Sequence, residues 1–159
     1  METFENLSAQ FGEQLLQKTL KIAAAESCTG GLFCEVLTRI PGSSNWFDRG
    51  FITYSNEAKI EMLGVKLSTL EQFGAVSEQT VIEMTQGVFK HSNADIACAI
   101  TGIAGPDGGT KDKPVGLVWM GFAKRNDTIQ THHEIFKGDR QSIRKQVVKL
   151  MLKFLKEIA

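Results

Sequence analysis

The 159 residues carry 18 basic and 18 acidic side chains, so the formal net charge is zero. A balanced chain has no overall field that draws it onto nucleic acid or an anionic membrane surface, which favours a small ligand or a protein as its partner. No apolar run approaches the roughly 20 residues of a membrane span, no basic segment opens a secretory signal, and the three cysteines form no C-x-x-C pair, which is typical of a reduced cytoplasmic protein.

Helices and strands alternate in the first part of the chain. Apolar residues at helical spacing predict a helix within residues 1–20, and the apolar run at 21–27 predicts a short buried strand. A turn at 29–31 leads into a helix at 32–40, which Pro41 ends. The predicted order is helix, strand, tight turn, helix.

The middle of the chain continues this alternation. Aromatic and β-branched residues within 46–55 predict a strand that ends near Tyr54, and a helix follows at 56–63. Ser77 is the expected N-cap of a helix at 78–92, and a strand at 94–101 comes next. A strand is therefore again followed by helical segments and another strand.

The last third predicts a hairpin and a closing helix. Strands at 115–123 and 129–136 flank a polar turn, and Asp139 is the expected N-cap of the final helix. Alternation followed by a hairpin implies the α/β class, as a three-layer α/β/α sandwich with a mixed sheet. The length fits one domain over residues 1–159.

Ligands bind beyond the carboxyl ends of strands in open α/β sheets, and the ESCTGG turn is the first candidate. The amides of Cys28, Thr29 and Gly30 are placed to receive an anion or a developing oxyanion, and Gly30 and Gly31 allow close approach. Ser27 is either a nucleophile or, like Thr29, a helix N-cap. Cys28 is a competing nucleophile or a small buried residue.

A serine nucleophile needs a base, and no histidine is well placed by the sequence to act as one. His132 and His133 are adjacent in a predicted strand, so they point to opposite faces and are interpreted as surface or packing residues. A lysine with a lowered pKa is an alternative base. Tyr54 and Lys59 can face one cleft from a strand-to-helix corner, or both are ordinary surface residues. Glu26 either orients Lys59 or a ligand hydroxyl, or simply ends its strand.

The loop TGIAGPDGG is the second candidate. Thr101 offers a hydroxyl, and Gly102 and Gly105 belong to a backbone that either wraps around a ligand or forms a structural turn. Asp107 lies in a Pro-Asp-Gly turn, which favours a structural role. Arg140, at the start of the last helix, either grips a phosphate or carboxylate or is simply solvated. The sequence has no spaced metal-ligand cluster, so we expect neither a metal nor a cofactor.

Several long segments resemble the CinA C-terminal-domain family. They are AAAESCTGGLF, PGSSNWFDRGFITYSNEAKIEMLGV, GAVSEQ, ITGIAGPDGGTKDKPVGLVW and FKGDRQSIRKQ. The resemblance runs over residues 5–157, nearly the whole chain. It implies an α/β/α fold and a stand-alone CinA C-terminal-like domain, without the domain resembling molybdenum-cofactor-biosynthesis proteins that some relatives carry.

The family includes nicotinamide mononucleotide deamidases. The resemblance therefore implies hydrolysis of the carboxamide of nicotinamide mononucleotide, giving nicotinic acid mononucleotide and ammonia in pyridine-nucleotide salvage. Ser27, Tyr54 and Lys59 match the positions that the family uses as its catalytic set. Thr101 and Arg140 match positions associated with the substrate pocket. No cofactor is implied.

These residues suggest a Ser-Lys-Tyr mechanism. Lys59 would deprotonate Ser27, Tyr54 would orient the lysine and relay the proton to ammonia, the 28–30 amides would stabilise the oxyanion, and the Gly-rich loop would help hold the nucleotide. The alternative is a non-catalytic nucleotide-binding regulatory module related to competence- or damage-inducible proteins. A homo-oligomer, with a dimer favoured, is expected. Leu117 stands where close relatives often have threonine, which affects the predicted shape of the pocket.

Overall fold

One sheet, covered by helices on both faces, organises the molecule. The computed structural model describes residues 2–159 and contains the helices α1 (Phe4–Lys18), α2 (Leu32–Thr38), α3 (Asn56–Leu63), α4 (Leu67–Phe73), α5 (Glu78–Lys90) and α6 (Arg140–Ile158). Its strands are β1 (Ile22–Glu26), β2 (Phe47–Ile52), β3 (Ile96–Gly102), β4 (Leu117–Lys124) and β5 (Gln130–Ile135). None of these helices is both long and apolar enough to cross a membrane.

The sheet is mixed, as predicted. The strands that the structure describes lie in the order β2-β1-β3-β4-β5. β1 pairs in parallel with β2 and with β3, whereas β4 pairs antiparallel with β3 and with β5. The parallel part therefore comes from the alternating segments and the antiparallel part from the predicted hairpin.

The central strand β1 shows why helices cover both faces. All five residues of its IAAAE sequence are fully buried, as expected for a parallel strand between two layers. Ile22 and Ala24 pack into the core formed with α1, α2 and α6, whereas Ala23 and Ala25 pack into the core formed with α3, α4 and α5. The predicted three-layer α/β/α sandwich is confirmed.

Two helices begin at the predicted N-caps. Ser77 Oγ accepts a hydrogen bond from the Thr80 N–H at 3.2 Å, and Asp139 Oδ1 accepts one from the Ser142 N–H at 2.8 Å. Each side chain satisfies an amide that the first turn of a helix leaves unpaired. The cap at Asp139 matters for function because α6 starts at Arg140.

Helix α4 is absent from the elements that the sequence predicts. Its N-cap position is Lys66, which makes no side-chain capping bond, so the usual start signal is missing. Leu67, Leu70 and Phe73 are spaced three apart, and this periodicity is the signal that could have found the helix.

Parallel pairing brings three strand ends to the same edge of the sheet. Glu26 lies opposite Ile52 in β2 and opposite Ile100 in β3. Ser27 and Thr53 therefore follow their strands side by side at this edge. It is the place where open α/β sheets bind ligands, because connections leave adjacent strands toward opposite faces.

Candidate active site

Ser27 lies directly beyond β1 at the edge where the strands end. Its N–H donates to the Ile100 carbonyl at 3.0 Å, which extends the β1–β3 pairing by one residue. The residue is 7% exposed. Ser27 is not the N-cap of α2, because that position belongs to Gly31, which has no capping side chain. The helix-cap alternative for Ser27 is therefore wrong.

Glu26 supplies the cap that α2 otherwise lacks. Its two carboxylate oxygens accept hydrogen bonds from the N–H groups of Phe33 and Cys34, each at 2.9 Å. A carboxylate at a helix N-terminus is stabilised by the unpaired amides there. Glu26 is fully buried, and its carboxylate makes no hydrogen bond to Lys59. It therefore secures the start of α2, rather than orienting the lysine or a ligand as one prediction allowed.

Lys59 reaches Ser27 from the first turn of α3. Ser55 caps this helix, which directs the lysine side chain back toward the strand ends. The Lys59 Nζ atom lies 3.0 Å from Ser27 Oγ, 2.9 Å from the Thr53 carbonyl oxygen and 3.1 Å from the Tyr54 carbonyl oxygen. The residue is 1% exposed.

The burial of Lys59 makes its amine easier to deprotonate than that of an exposed lysine. Burial lowers its pKa below the usual lysine value. Over residues 2–159, Lys59 forms no ion pair with a carboxylate. A neutral amine has two N–H bonds and one lone pair, and the Thr53 and Tyr54 carbonyls can accept the two N–H bonds. The lone pair is then available to the Ser27 hydroxyl.

Tyr54 and Arg140 meet at the rim of the same site. Tyr54 is 58% exposed, and its phenol oxygen accepts a hydrogen bond from Arg140 Nη2 at 2.9 Å. Arg140 Nη1 donates to the Gly105 carbonyl at 2.8 Å. Tyr54 contacts the Lys59 amine through its main-chain carbonyl and not through its phenol. The lysine is thus oriented by the Tyr54 backbone.

A cavity of about 260 Å³ lies between these side chains. The predicted site residues that line it are Ser27, Cys28, Tyr54, Lys59, Thr101, Gly102, Gly105 and Arg140. Further lining residues are Asn56, Ala75, Val76, Ile103, Ala104, Asp107 and Gly108. Except for Asp107, these were not singled out from the sequence, although each lies within one of the segments that carry the family resemblance.

Thr29, Gly30 and Gly31 are not among the residues that line this cavity. Thr29 is fully buried, and Gly30 and Gly31 adopt positive φ angles of +57° and +104°. A Cβ atom on Gly31 would lie 3.0 Å from the Ile52 side chain. These glycines therefore shape the turn between β1 and α2.

Two amides of the turn have no hydrogen-bond partner, and of the two residues only Cys28 lines the cavity. The Gly30 N–H donates to the Ser27 carbonyl at 3.0 Å, so this predicted donor is already used. Within residues 2–159, the N–H groups of Cys28 and Thr29 donate to no protein acceptor. The predicted set of three amides thus reduces to two.

The second loop contributes a hydroxyl and a carboxylate to the cavity. Thr101 Oγ1 donates to the Ala75 carbonyl at 2.9 Å, which ties the loop before α5 to the end of β3 and leaves the oxygen lone pairs available. Asp107 is exposed, and its carboxylate has no hydrogen-bond partner among the residues that the structure describes. Gly105 adopts a φ of +80°, and its carbonyl receives Arg140.

Cys28 is a poor nucleophile in this setting. Burial, with a further contribution from the Glu26 carboxylate, raises the pKa of its thiol to about 12. The thiolate is the reactive form of cysteine, so this environment disfavours thiol chemistry at neutral pH. Cys28, Cys34 and Cys98 are all free thiols.

The two histidines of β5 pack against other side chains, as predicted. The His133 ring stacks on Trp119 with centroids 4.2 Å apart, and His132 lies 4.9 Å from the Phe154 ring. Neither histidine lines the cavity. Residues 2–159 contain no group of three or more His, Cys, Asp or Glu side chains arranged to hold a metal ion.

Comparison with known proteins places the chain in a family. The CinA C-terminal domain matches residues 4–159. The chain belongs to the CinA C-terminal domain family. Nicotinamide-nucleotide amidohydrolase PncC of Enterobacter agglomerans is 55% identical over 140 residues, which are 88% of this chain and 85% of that protein. Its counterpart in Escherichia coli strain K12 is 51% identical over 149 residues, covering 94% and 90%.

Solved structures of CinA-related proteins have the same fold. The crystal structure of competence/damage inducible protein CihA from Agrobacterium tumefaciens gives a TM-score of 0.95 at 42% identity, covering 99% of this chain and 98% of that one. Competence damage-inducible protein A (ComA) from Klebsiella pneumoniae gives 0.94 at 35% identity, covering 98% and 96%. The family resemblance predicted from the motifs is confirmed.

Proposed function

We propose that this protein hydrolyses the carboxamide of nicotinamide mononucleotide, giving nicotinic acid mononucleotide and ammonia. The observation that carries the proposal is the buried Lys59 amine, 3.0 Å from Ser27 Oγ in a cavity. A hydroxyl beside a base of lowered pKa is suited to attack a carbonyl carbon. The names of the two amidohydrolases support a nicotinamide nucleotide as the substrate.

The reaction begins with proton transfer from Ser27 to the Lys59 amine. The Ser27 oxygen attacks the carboxamide carbon, and the C=O bond becomes a C–O⁻ bond. The Cys28 and Thr29 amides stabilise this oxyanion, and one such donor typically contributes about 100- to 1,000-fold to kcat. The hydrogen bonds from Lys59 to the Thr53 and Tyr54 carbonyls hold the amine in place.

Collapse of the tetrahedral intermediate releases ammonia. The proton that Lys59 took from Ser27 passes to the departing nitrogen, with the Tyr54 phenol as the relay. The C–N bond breaks and leaves an ester between the nicotinoyl carbon and Ser27. Lys59 then deprotonates a water molecule, which hydrolyses the ester and regenerates the serine. The sum is one amide and one water converted into one carboxylic acid and one ammonia.

The rim binds the remote part of the substrate. The exposed Arg140 guanidinium forms paired hydrogen bonds with phosphate oxygens, in place of the bonds it makes to Tyr54 and Gly105. That exchange frees the Tyr54 phenol for the proton relay. Thr101, Gly102 and Gly105 contact the ribose. Binding energy from the phosphate and ribose thus positions the amide over Ser27.

The setting of this reaction follows from the sequence predictions. We propose that it takes place in the cytoplasm, in a homo-oligomer, with a dimer favoured, in which residues 1–159 form one domain, and that it uses no cofactor. The alternative function, a regulatory module that binds nucleotide without turnover, is distinguished from the enzyme by measuring both ammonia release and nucleotide binding.

The test is ammonia release from nicotinamide, its riboside, its mononucleotide and the dinucleotide. We expect the mononucleotide to have the highest kcat/KM, because it alone presents a terminal phosphate to Arg140. Ser27→Ala protein purified in parallel is the control for contaminating amidases. If calorimetry detects mononucleotide binding while no ammonia is released from any of the four compounds, the regulatory module is the correct function.

A further inference from the structure

Arg144, one helical turn after Arg140 in α6, contacts the turn that follows Ser27. Its Nη2 atom donates to the Thr29 carbonyl at 2.7 Å, although the two residues are 115 positions apart in the chain. The same nitrogen lies 3.4 Å from the position that a Cβ atom on Gly30 would occupy. The guanidinium therefore packs against two consecutive residues of the turn.

The charge of Arg144 is not explained by pairing within the fold. Among residues 2–159, this guanidinium forms no ion pair with a carboxylate. Its Nε atom is shielded from solvent without a hydrogen-bond partner, and so is the Thr29 hydroxyl oxygen. Unpaired buried polar atoms cost stability. Packing alone therefore gives no reason for an arginine at this position.

The turn is held from two directions. The Gly30 N–H closes it internally on the Ser27 carbonyl, and Arg144 holds it from α6 through the Thr29 carbonyl. The positive charge of Arg144 also acts on the turn electrostatically. It lowers the pKa of the Cys28 thiol, but the opposing effect of burial is larger. The Cys28 and Thr29 amides lie between these two fixed points.

We propose that Arg144 is a positioning residue, which holds the turn after Ser27 so that the Cys28 and Thr29 amides are aligned for the oxyanion. This inference rests on the proposed hydrolysis and adds a residue to it. The charge of Arg144 supplements the field of the two amides where negative charge develops. Arg140 and Arg144 are four residues apart and therefore lie on one face of α6. Their roles differ, because Arg140 binds the substrate and Arg144 holds the turn that follows Ser27.

The decisive experiment compares kcat and KM for nicotinamide mononucleotide in Arg144→Met. We expect kcat to fall about 10- to 100-fold while KM stays within about twofold. Misaligned oxyanion donors weaken binding of the transition state much more than binding of the substrate. Arg144→Lys should give an intermediate kcat, since lysine keeps the charge but lacks the planar donor array. Lys145→Met is the matched control, as it removes a positive charge from the exposed neighbouring position and should leave both parameters unchanged.

Hydrogen exchange of a peptide covering residues 27–32 provides a readout that does not depend on turnover. Faster exchange in Arg144→Met than in Lys145→Met is expected. Wild-type kcat in folded Arg144→Met, or a change in KM alone, overturns the inference. If the methionine variant does not fold, Arg144→Lys decides, and wild-type kcat in that variant likewise overturns it. Failure of the wild-type protein to release ammonia would instead count against the proposed function itself.

Discussion

Lys59 and Arg140 each bring a basic side chain to the same cavity, but in opposite surroundings. Lys59 belongs to the floor, which we define as Ser27 and Lys59, and it is 1% exposed and held by main-chain carbonyls. Arg140 belongs to the rim, defined as Tyr54 and Arg140, where both side chains are exposed. Burial lowers the pKa of Lys59, whereas the exposed Arg140 guanidinium presents a planar array of N–H donors at the mouth of the cavity. The Lys59 amine of the floor is therefore suited to taking up a proton, and the Arg140 guanidinium of the rim to holding an anion.

The largest expected effect comes from removing the nucleophile at the floor. Ser27→Ala should lower kcat for nicotinamide mononucleotide by about 10⁴-fold or more, because the covalent path is lost. A stopped assay of ammonia release measures this loss, and calorimetry should still detect binding at the rim. Retention of most of the wild-type rate would remove Ser27 from the mechanism.

The second prediction concerns the proton acceptor. Lys59→Ala should lower kcat by about 100- to 10,000-fold while the nucleotide still binds. In the wild-type enzyme, kcat/KM should fall about tenfold for each pH unit below the pKa of Lys59, since only the neutral amine accepts the Ser27 proton. Burial lowers that pKa, so the decline should begin at a lower pH than for a solvent-exposed lysine.

A pH–rate profile between about pH 5 and pH 10 tests the predicted fall of kcat/KM at low pH. The acid limb should disappear from the residual activity of Lys59→Ala. A profile in which activity rises as the pH falls through this range would contradict a neutral lysine base.

Removing the Arg140 guanidinium from the rim should have a smaller effect, and this effect should be on substrate binding. Arg140→Ala should raise KM for the mononucleotide about 10- to 100-fold, as expected for the loss of charge-assisted hydrogen bonds to a phosphate. Nicotinamide riboside has no phosphate, so its kcat/KM should change little in the same variant. A loss confined to kcat, or an equal loss for both substrates, would contradict the division between floor and rim.

The smallest effect on kcat is expected for Cys28, the alternative nucleophile. Cys28→Ala should keep kcat within about threefold of wild type, because the backbone amide persists and only a protonated thiol is lost. Iodoacetamide treatment of the wild-type enzyme at pH 7 provides an independent measurement and should leave the activity intact. Loss of activity in both experiments would point to cysteine chemistry instead.

Much of the fold could be predicted because its signals act over short distances. Asp139 and Ser77 cap helices through amides three residues away. The IAAAE run predicts β1 because a strand covered on both faces is almost wholly apolar. Helix α4 escaped prediction because Lys66 provides no capping side chain, and its turns are stabilised by packing such as that of Leu70 into the core.

The roles of individual polar side chains were harder to predict. Glu26 could be interpreted in several ways from the sequence, and its capping bonds to Phe33 and Cys34 depend on where α2 begins relative to β1. The Tyr54 side chain was expected to orient the lysine, but its phenol contacts Arg140 from the far end of the chain. Such contacts depend on tertiary packing, which residue spacing does not encode.

By itself, the sequence determined the order of the elements other than α4, two of the loops that line the cavity and, through its motifs, the family. Tertiary structure decided which side chains meet there. The pairing of Ser27 with Lys59, 32 positions apart, requires β1 and β2 to align in parallel with their ends in register. The contact of Arg144 with Thr29 requires α6 to pack over that same edge. Capping and periodicity act within about one helical turn, whereas these contacts depend on sheet register and layer packing.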